Sequence, residues 1–188
     1  MKMMERISRK KKKLHIGDSG FSLVELIIVI AIMSALMTTA MLSISMIFSA
    51  NAKACANGIQ RAVADCKVTT MGKSAAWLVL YRDADGVLYG QMHTMEQKSG
   101  EAIGTFEEVI QEPEKLGGKR VSITYTDDSG TDMGELPVGE SNGIRIEFDR
   151  SSGSFKDGTI KSIDITGGNK HYRLTLIKLT GKLSMKLL

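Results

Sequence analysis

The sequence predicts an α+β chain, with one long N-terminal helix packed on an antiparallel β-sheet head. Two observations carry this. No charged residue occurs from Leu26 to Ala52, a stretch of 27 residues, and apolar positions continue beyond it at helical spacing. Past Gly72 the period changes to two, in short runs divided by Gly, Asp, Asn and Ser. Strands that follow a helix, instead of alternating with helices, give the α+β architecture.

The first twenty residues stand apart by charge. They hold seven basic side chains (Lys2, Arg6, Arg9 and Lys10 to Lys13) against Glu5 and Asp18, a net +5. The whole chain carries +4, so residues 21–188 carry −1. A basic block before an apolar run reads as a positive-inside signal that keeps the N-terminus in the cytoplasm. With the block removed, a general basic-protein case for nucleic-acid binding loses its main support. The uncharged run exceeds the roughly 20 residues needed to cross a bilayer. It is about twice the usual 7–15 apolar residues of a secretory signal peptide. A plain single-pass anchor accounts for the length but not for Glu25 at its mouth. A carboxylate in a spanning helix is costly, and so asks for a partner.

Gly20-Phe21-Ser22-Leu23-Val24-Glu25-Leu26-Ile27 resembles the prepilin cleavage and methylation motif. Type IV pilins carry it, as do the pseudopilins of type II secretion and competence systems. The resemblance implies that a prepilin peptidase cuts between Gly20 and Phe21 and methylates the new N-terminus at Phe21. It also implies that Glu25 is the assembly residue, pairing with the α-amino group of a neighbouring subunit. Residues 1–20 are then a removed leader, and 21–53 a transmembrane and filament-core helix. Residues 54–188 form a soluble head, with an amphipathic helix over 54–72 and a β-rich part over 75–188. Other subunits and a membrane platform protein are the partners implied. The implied location is the bacterial cell membrane, single-pass, and then a surface or envelope filament. Major pilins often carry glycine or proline within this helix, and residues 21–57 contain neither. Ser34, Ala35, Thr38, Thr39, Ala40 and Ser43 are residue types that let membrane helices approach closely.

Helical spacing continues through Cys55, Ile59, Ala62 and Cys66, and Gly72 is the stop signal. The two cysteines lie eleven residues apart in one helix. That is about 16 Å along the axis, too far for a disulfide. Both read as small buried hydrophobes. Gly58 reads as a weak point, costing about 1 kcal/mol against alanine.

In the head, Ala76 to Tyr81 and Val87 to Met92 flank a hairpin turn at Asp83-Ala84-Asp85-Gly86. Residues 94–118 resist reading, and Thr105 to Gln111 suits a strand or a helix equally. A strand is expected over Lys119 to Thr126, followed by a loop to about Asn142. Ile144, Ile146 and Phe148 alternate with charge, and further strands are expected at Thr159 to Ile165, Tyr172 to Leu179 and Lys182 to Leu187. Gly167-Gly168-Asn169 reads as a turn. By pattern alone, residues 55–188 are similar to minor pseudopilins of the type II secretion H type and related minor pilins. The points of likeness are the hairpin at Ala84-Asp85-Gly86, the Gly143 to Phe148 strand and the close at Thr180-Gly181-Lys182-Leu183.

The function this implies is structural: a minor pilin or pseudopilin subunit in a pilus-like or secretion-like filament. The alternative is a competence pseudopilin that takes part in DNA capture. Related minor pilins bind DNA through basic residues near the C-terminus; here Lys170, Arg173, Lys178, Lys182 and Lys186 are the candidates. Asp127, Asp128, Asp132 and Glu135 form an acidic loop, a weak calcium candidate, since their spacing fits no EF-hand. His15, His93 and His171 have no cysteine or carboxylate at ligand spacing, and the latter two read as surface strand residues. No nucleophile–base pair or paired catalytic carboxylates emerge, so no enzyme and no cofactor is expected.

Overall fold

A computed structural model describes residues 21–72, 75–100 and 104–188, the Leu42 side chain apart. The leader, Gly20 and His15 lie outside the described residues. The chain divides into two compact units, Met1–Thr39 and Ala40–Leu188.

Helix α1 is assigned over Leu23–Gly72. Its first part, in the first unit, exposes nearly every side chain, and its most apolar stretch has a mean hydropathy of 2.4 with none of it buried. In the second unit the helix buries one stripe: Ala52, Cys55, Ala56, Ile59, Ala62, Val63, Cys66 and Thr70. The stripe is mostly small, so backbone can come close. A Cβ on Gly58 would sit 3.0 Å from the Leu116 carbonyl oxygen, and one on Gly117 would sit 2.8 Å from Cys55 Sγ. Gly58 is therefore less a flaw than a gap for a passing carbonyl.

Among the described residues, ten strands make two antiparallel sheets. The first takes β1 (Ala76–Arg82), β2 (Leu88–Gln97), β3 (Phe106–Ile110), β4 (Glu114–Gly117) and β7 (Ile144–Glu147). Its order is β3-β2-β1-β7, with β4 also paired to β2. The second takes β5 (Ser122–Thr126), β6 (Asp132–Glu135), β8 (Ser162–Gly167), β9 (Lys170–Ile177) and β10 (Lys182–Leu187), in the order β10-β9-β8-β5-β6. This is the α+β arrangement that the change of period predicts. The alternating positions face one core: Leu78 and Leu80 of β1, Ile144 and Ile146 of β7, Ile163 and Ile165 of β8, and Leu174 and Leu176 of β9. Phe148 and Phe155 close it, with ring centroids 4.6 Å apart.

The first hairpin forms where its turn residues place it. Asp83 Oδ1 accepts from the N–H groups of Asp85 and Val87, and Gly86 has φ +79. Elsewhere the expected bounds shift. The strand expected from Lys119 starts at Ser122, because Lys119 and Arg120 turn the chain, the latter at φ +71. The strand expected from Thr159 starts at Ser162. The expected loop after Thr126 contains β6, which pairs with β5. Residues Thr105 to Gln111 are resolved in favour of a strand, β3.

Arg82 links the two sheets from a nearly buried position. It donates to the Val121 carbonyl at 2.8 Å and lies 3.4 Å from Glu135. Cys55 and Cys66 are free and buried. Burial pushes both thiols up to about 12; Arg82 partly offsets this at Cys55, and a hydrogen bond with Thr70 does so at Cys66. Thiolate is the reactive form, so neither cysteine reacts at neutral pH while the head is folded. Iodoacetamide should leave the native full chain unlabelled and alkylate both positions once denaturant is added; rapid labelling of the native chain contradicts this burial.

Candidate functional site

The helix start is built by a capping box that the sequence spells as Ser-x-x-Glu. The Ser22 N–H donates to Glu25 Oε2 at 3.0 Å, and the Val24 N–H donates to Ser22 Oγ at 3.3 Å. The two side chains satisfy N–H groups that have no partner inside the helix. Glu25 thus has a local role that the cost of its charge in lipid did not reveal. Its carboxylate also lies where the helix dipole is positive. Phe21, directly before, is 85% exposed. The result is a carboxylate at the mouth of an apolar helix, one turn from the residue that cleavage after Gly20 would make N-terminal.

Three hydroxyls in the first part of the helix are satisfied on the helix itself. Ser34 Oγ donates to the Ile30 carbonyl at 2.7 Å, Thr38 Oγ1 to that of Ser34 at 2.9 Å, and Thr39 Oγ1 to that of Leu36 at 2.9 Å. Back-bonding of this kind hides polar groups in an apolar setting.

The sequence reading missed the place where the head grips the helix. The β8–β9 turn, Gly167-Gly168-Asn169, lies directly on residues 45–52. A Cβ on Gly167 would fall 2.6 Å from the Phe48 carbonyl oxygen and 2.9 Å from Ala52 Cβ; one on Gly168, at φ +59, would fall 2.5 Å from the Ser45 carbonyl oxygen. Ser49 Oγ donates to Asn169 Oδ1 at 2.8 Å. Arg120 covers the neighbouring ground, its guanidinium 5.6 Å from the Phe48 ring centroid. The available signal was the match of a double glycine to Ser45, Ser49 and Ala52, which recur at spacings of four and three.

The five basic candidates do not make one patch. Arg173 is bound to Asp164 through Nε at 2.8 Å and a second nitrogen at 2.9 Å. Burial acts to raise Asp164, but Arg173 and His171 hold it below its ordinary value. Lys178 is clamped by Asp157 at 2.7 Å and Asp128 at 3.1 Å. Register places Lys182 and Lys186 on the same face as Arg173, and Lys170 on the other.

The acidic loop does not converge on a cation site. Asp127 accepts from Ser129 Oγ and the Thr131 N–H, Asp132 accepts from the Gly134 N–H, Asp128 pairs with Lys178, and Glu135 reaches Arg82. Among the described residues, no group of three or more His, Cys, Asp or Glu is placed to hold a metal ion. Each of these carboxylates is occupied by its own turn or by a cation.

The histidines also need correction. His93 is buried, not a surface residue, and Glu108 and Glu140 approach it from other elements. His171 Nε2 lies 3.3 Å from Asp164.

Residues 17–41 match the family model described as the prokaryotic N-terminal methylation motif. The match covers the helix start and most of the uncharged run, and it supports a type IV pilin-like subunit processed by a prepilin peptidase. No curated protein and no solved structure matches the chain.

Proposed function

We propose that this chain is a minor pilin or pseudopilin, a structural subunit of a type IV pilus-like or secretion-like filament. The observation that carries this is Glu25, capping the helix at the start of its uncharged run and within the matched segment 17–41. In this reading a prepilin peptidase cuts between Gly20 and Phe21 and methylates Phe21. The chain first sits in the membrane with its leader in the cytoplasm. A platform protein and other subunits then draw it into the filament. Once the leader is gone, the Phe21 α-amino group is a cation in an apolar setting. Pairing it with Glu25 of a neighbour offsets two desolvation costs and sets the stagger between helices.

Substitution Glu25→Ala tests the filament role. Cleavage should proceed, because the Gly20–Phe21 junction is intact. Incorporation into filaments should fall at least about tenfold, since removing one partner of a buried charge pair costs roughly 2–5 kcal/mol. Wild-type incorporation of the variant, measured by immunoblot of sheared filaments, rejects Glu25 as the assembly residue. DNA capture for competence is the weaker reading, because Arg173 and Lys178 are already paired. Lys182 and Lys186 are its remaining strand-face cations.

A further inference from the structure

His93 sits on the face of β2 opposite the Leu78 and Leu80 core, and its side chain is 7% exposed. Glu108, on the edge strand β3, places Oε1 2.8 Å from Nδ1. Glu140, in the 3-10 turn Glu140–Asn142 that follows β6, places Oε1 3.5 Å from Nε2. Nε2 is buried and has no hydrogen-bond partner. The ring stacks on Trp77 of β1, with centroids 5.4 Å apart and planes 19° from parallel. Arg145 of β7 lies over the same indole, 4.1 Å from its centroid, and is paired with Glu147. The other titratable group of β1 on this face is Tyr81, which burial and Glu140 push up.

A neutral imidazole has one N–H and one lone pair. If the proton is on Nδ1, the Nε2 lone pair faces the Glu140 carboxylate. If it is on Nε2, the Nδ1 lone pair faces Glu108 at 2.8 Å. Either tautomer sets two acceptors against each other in a site with little water, where such a conflict is costly. Only the imidazolium turns an N–H to both carboxylates, as a hydrogen bond to Glu108 and a charge contact with Glu140.

The geometry points to His93 as a proton-operated clamp, which holds the Glu140–Asn142 turn and the β3 edge against the outer face of the first sheet when protonated, and releases the turn when neutral. The clamp does not rest on the filament reading.

Trp77 is the single tryptophan of the chain, so its fluorescence reports this contact. An imidazolium accepts an electron from an excited indole more readily than a neutral imidazole does. In the full chain in detergent, Trp77 emission should rise in one step as pH increases from about 5 to about 9, a range spanning the ordinary histidine value. The step should vanish in His93→Gln. It should move to lower pH in Glu140→Gln, a change at a half-exposed side chain that keeps the fold. An unchanged step in His93→Gln, no step in the native chain, or an unmoved midpoint in Glu140→Gln overturns the clamp. So does a change at constant pH that zinc chloride produces and EDTA reverses, which assigns the gap to a metal ion.

Discussion

A chain carrying Gly20→Trp should accumulate as a full-length precursor that still bears its +5 leader, with no mature form beginning at Phe21. The cut proposed at Gly20–Phe21 lies where the charged leader meets the apolar run, so the scissile peptide must be handled at the membrane surface. A residue without a Cβ lets a protease backbone approach that a bulky side chain blocks. The consequence goes beyond the leader. Without cleavage Phe21 has no free amino group, and Glu25 keeps only its Ser22 N–H partner. Seven cations at the N-terminus would also have to remain in the cytoplasm, where the basic block is favoured. Assembly should therefore fail in Gly20→Trp even though every residue of the helix is native. Intact-mass measurement and N-terminal sequencing of membranes with and without the prepilin peptidase decide the matter. A mature chain starting at Phe21 in cells that lack the peptidase would falsify the processing route.

The N-terminal helix and most of the core were legible in the sequence because their patterns are local. The uncharged run from Leu26 to Ala52 needs no tertiary context to be read. Ile144-Arg145-Ile146-Glu147 alternates because one face of β7 is buried and the other is not. The capping box was equally local, with Ser22 and Glu25 at the diagnostic spacing, but the charge of Glu25 drew the argument towards lipid instead of towards its own backbone. Residues 94–118 were opaque for a physical reason. Strand β3 lies at a sheet edge with both faces largely exposed, so nothing selects alternation in Phe106-Glu107-Glu108-Val109-Ile110. Strand β6 reads Asp-Met-Gly-Glu, without a strong strand former, and exists because β5 offers it an edge. His93 was misread because both its carboxylates come from other elements, which no spacing rule along β2 can see. The pairing of Arg173 and Lys178 was hidden because their partners, Asp164, Asp157 and Asp128, lie on neighbouring segments.

Gly167→Val should unfold the junction between the helix and the second sheet, with a loss at or above the top of the usual range of about 1–3 kcal/mol for overpacking. The reason is the kind of atom in the way. The added Cβ would meet the Phe48 carbonyl oxygen at 2.6 Å and Ala52 Cβ at 2.9 Å. Neither is the end of a flexible side chain, so relief requires moving helix backbone against β8. Movement there also breaks the Ser49–Asn169 hydrogen bond and separates Ala52 from the buried cluster. For a domain of this size the midpoint of thermal unfolding should fall by about 10 °C, at roughly 2–4 °C per kcal/mol. Gly86→Ala is the informative control. Gly86 has positive φ, which Gly167 does not, and a Cβ there meets nothing within 4 Å. It should cost only the conformational strain of about 1 kcal/mol. Comparing the two by Trp77 fluorescence during thermal unfolding separates close packing from backbone strain. If Gly167→Val melts no lower than Gly86→Ala, the β8–β9 turn is not what holds residues 45–52 to the head.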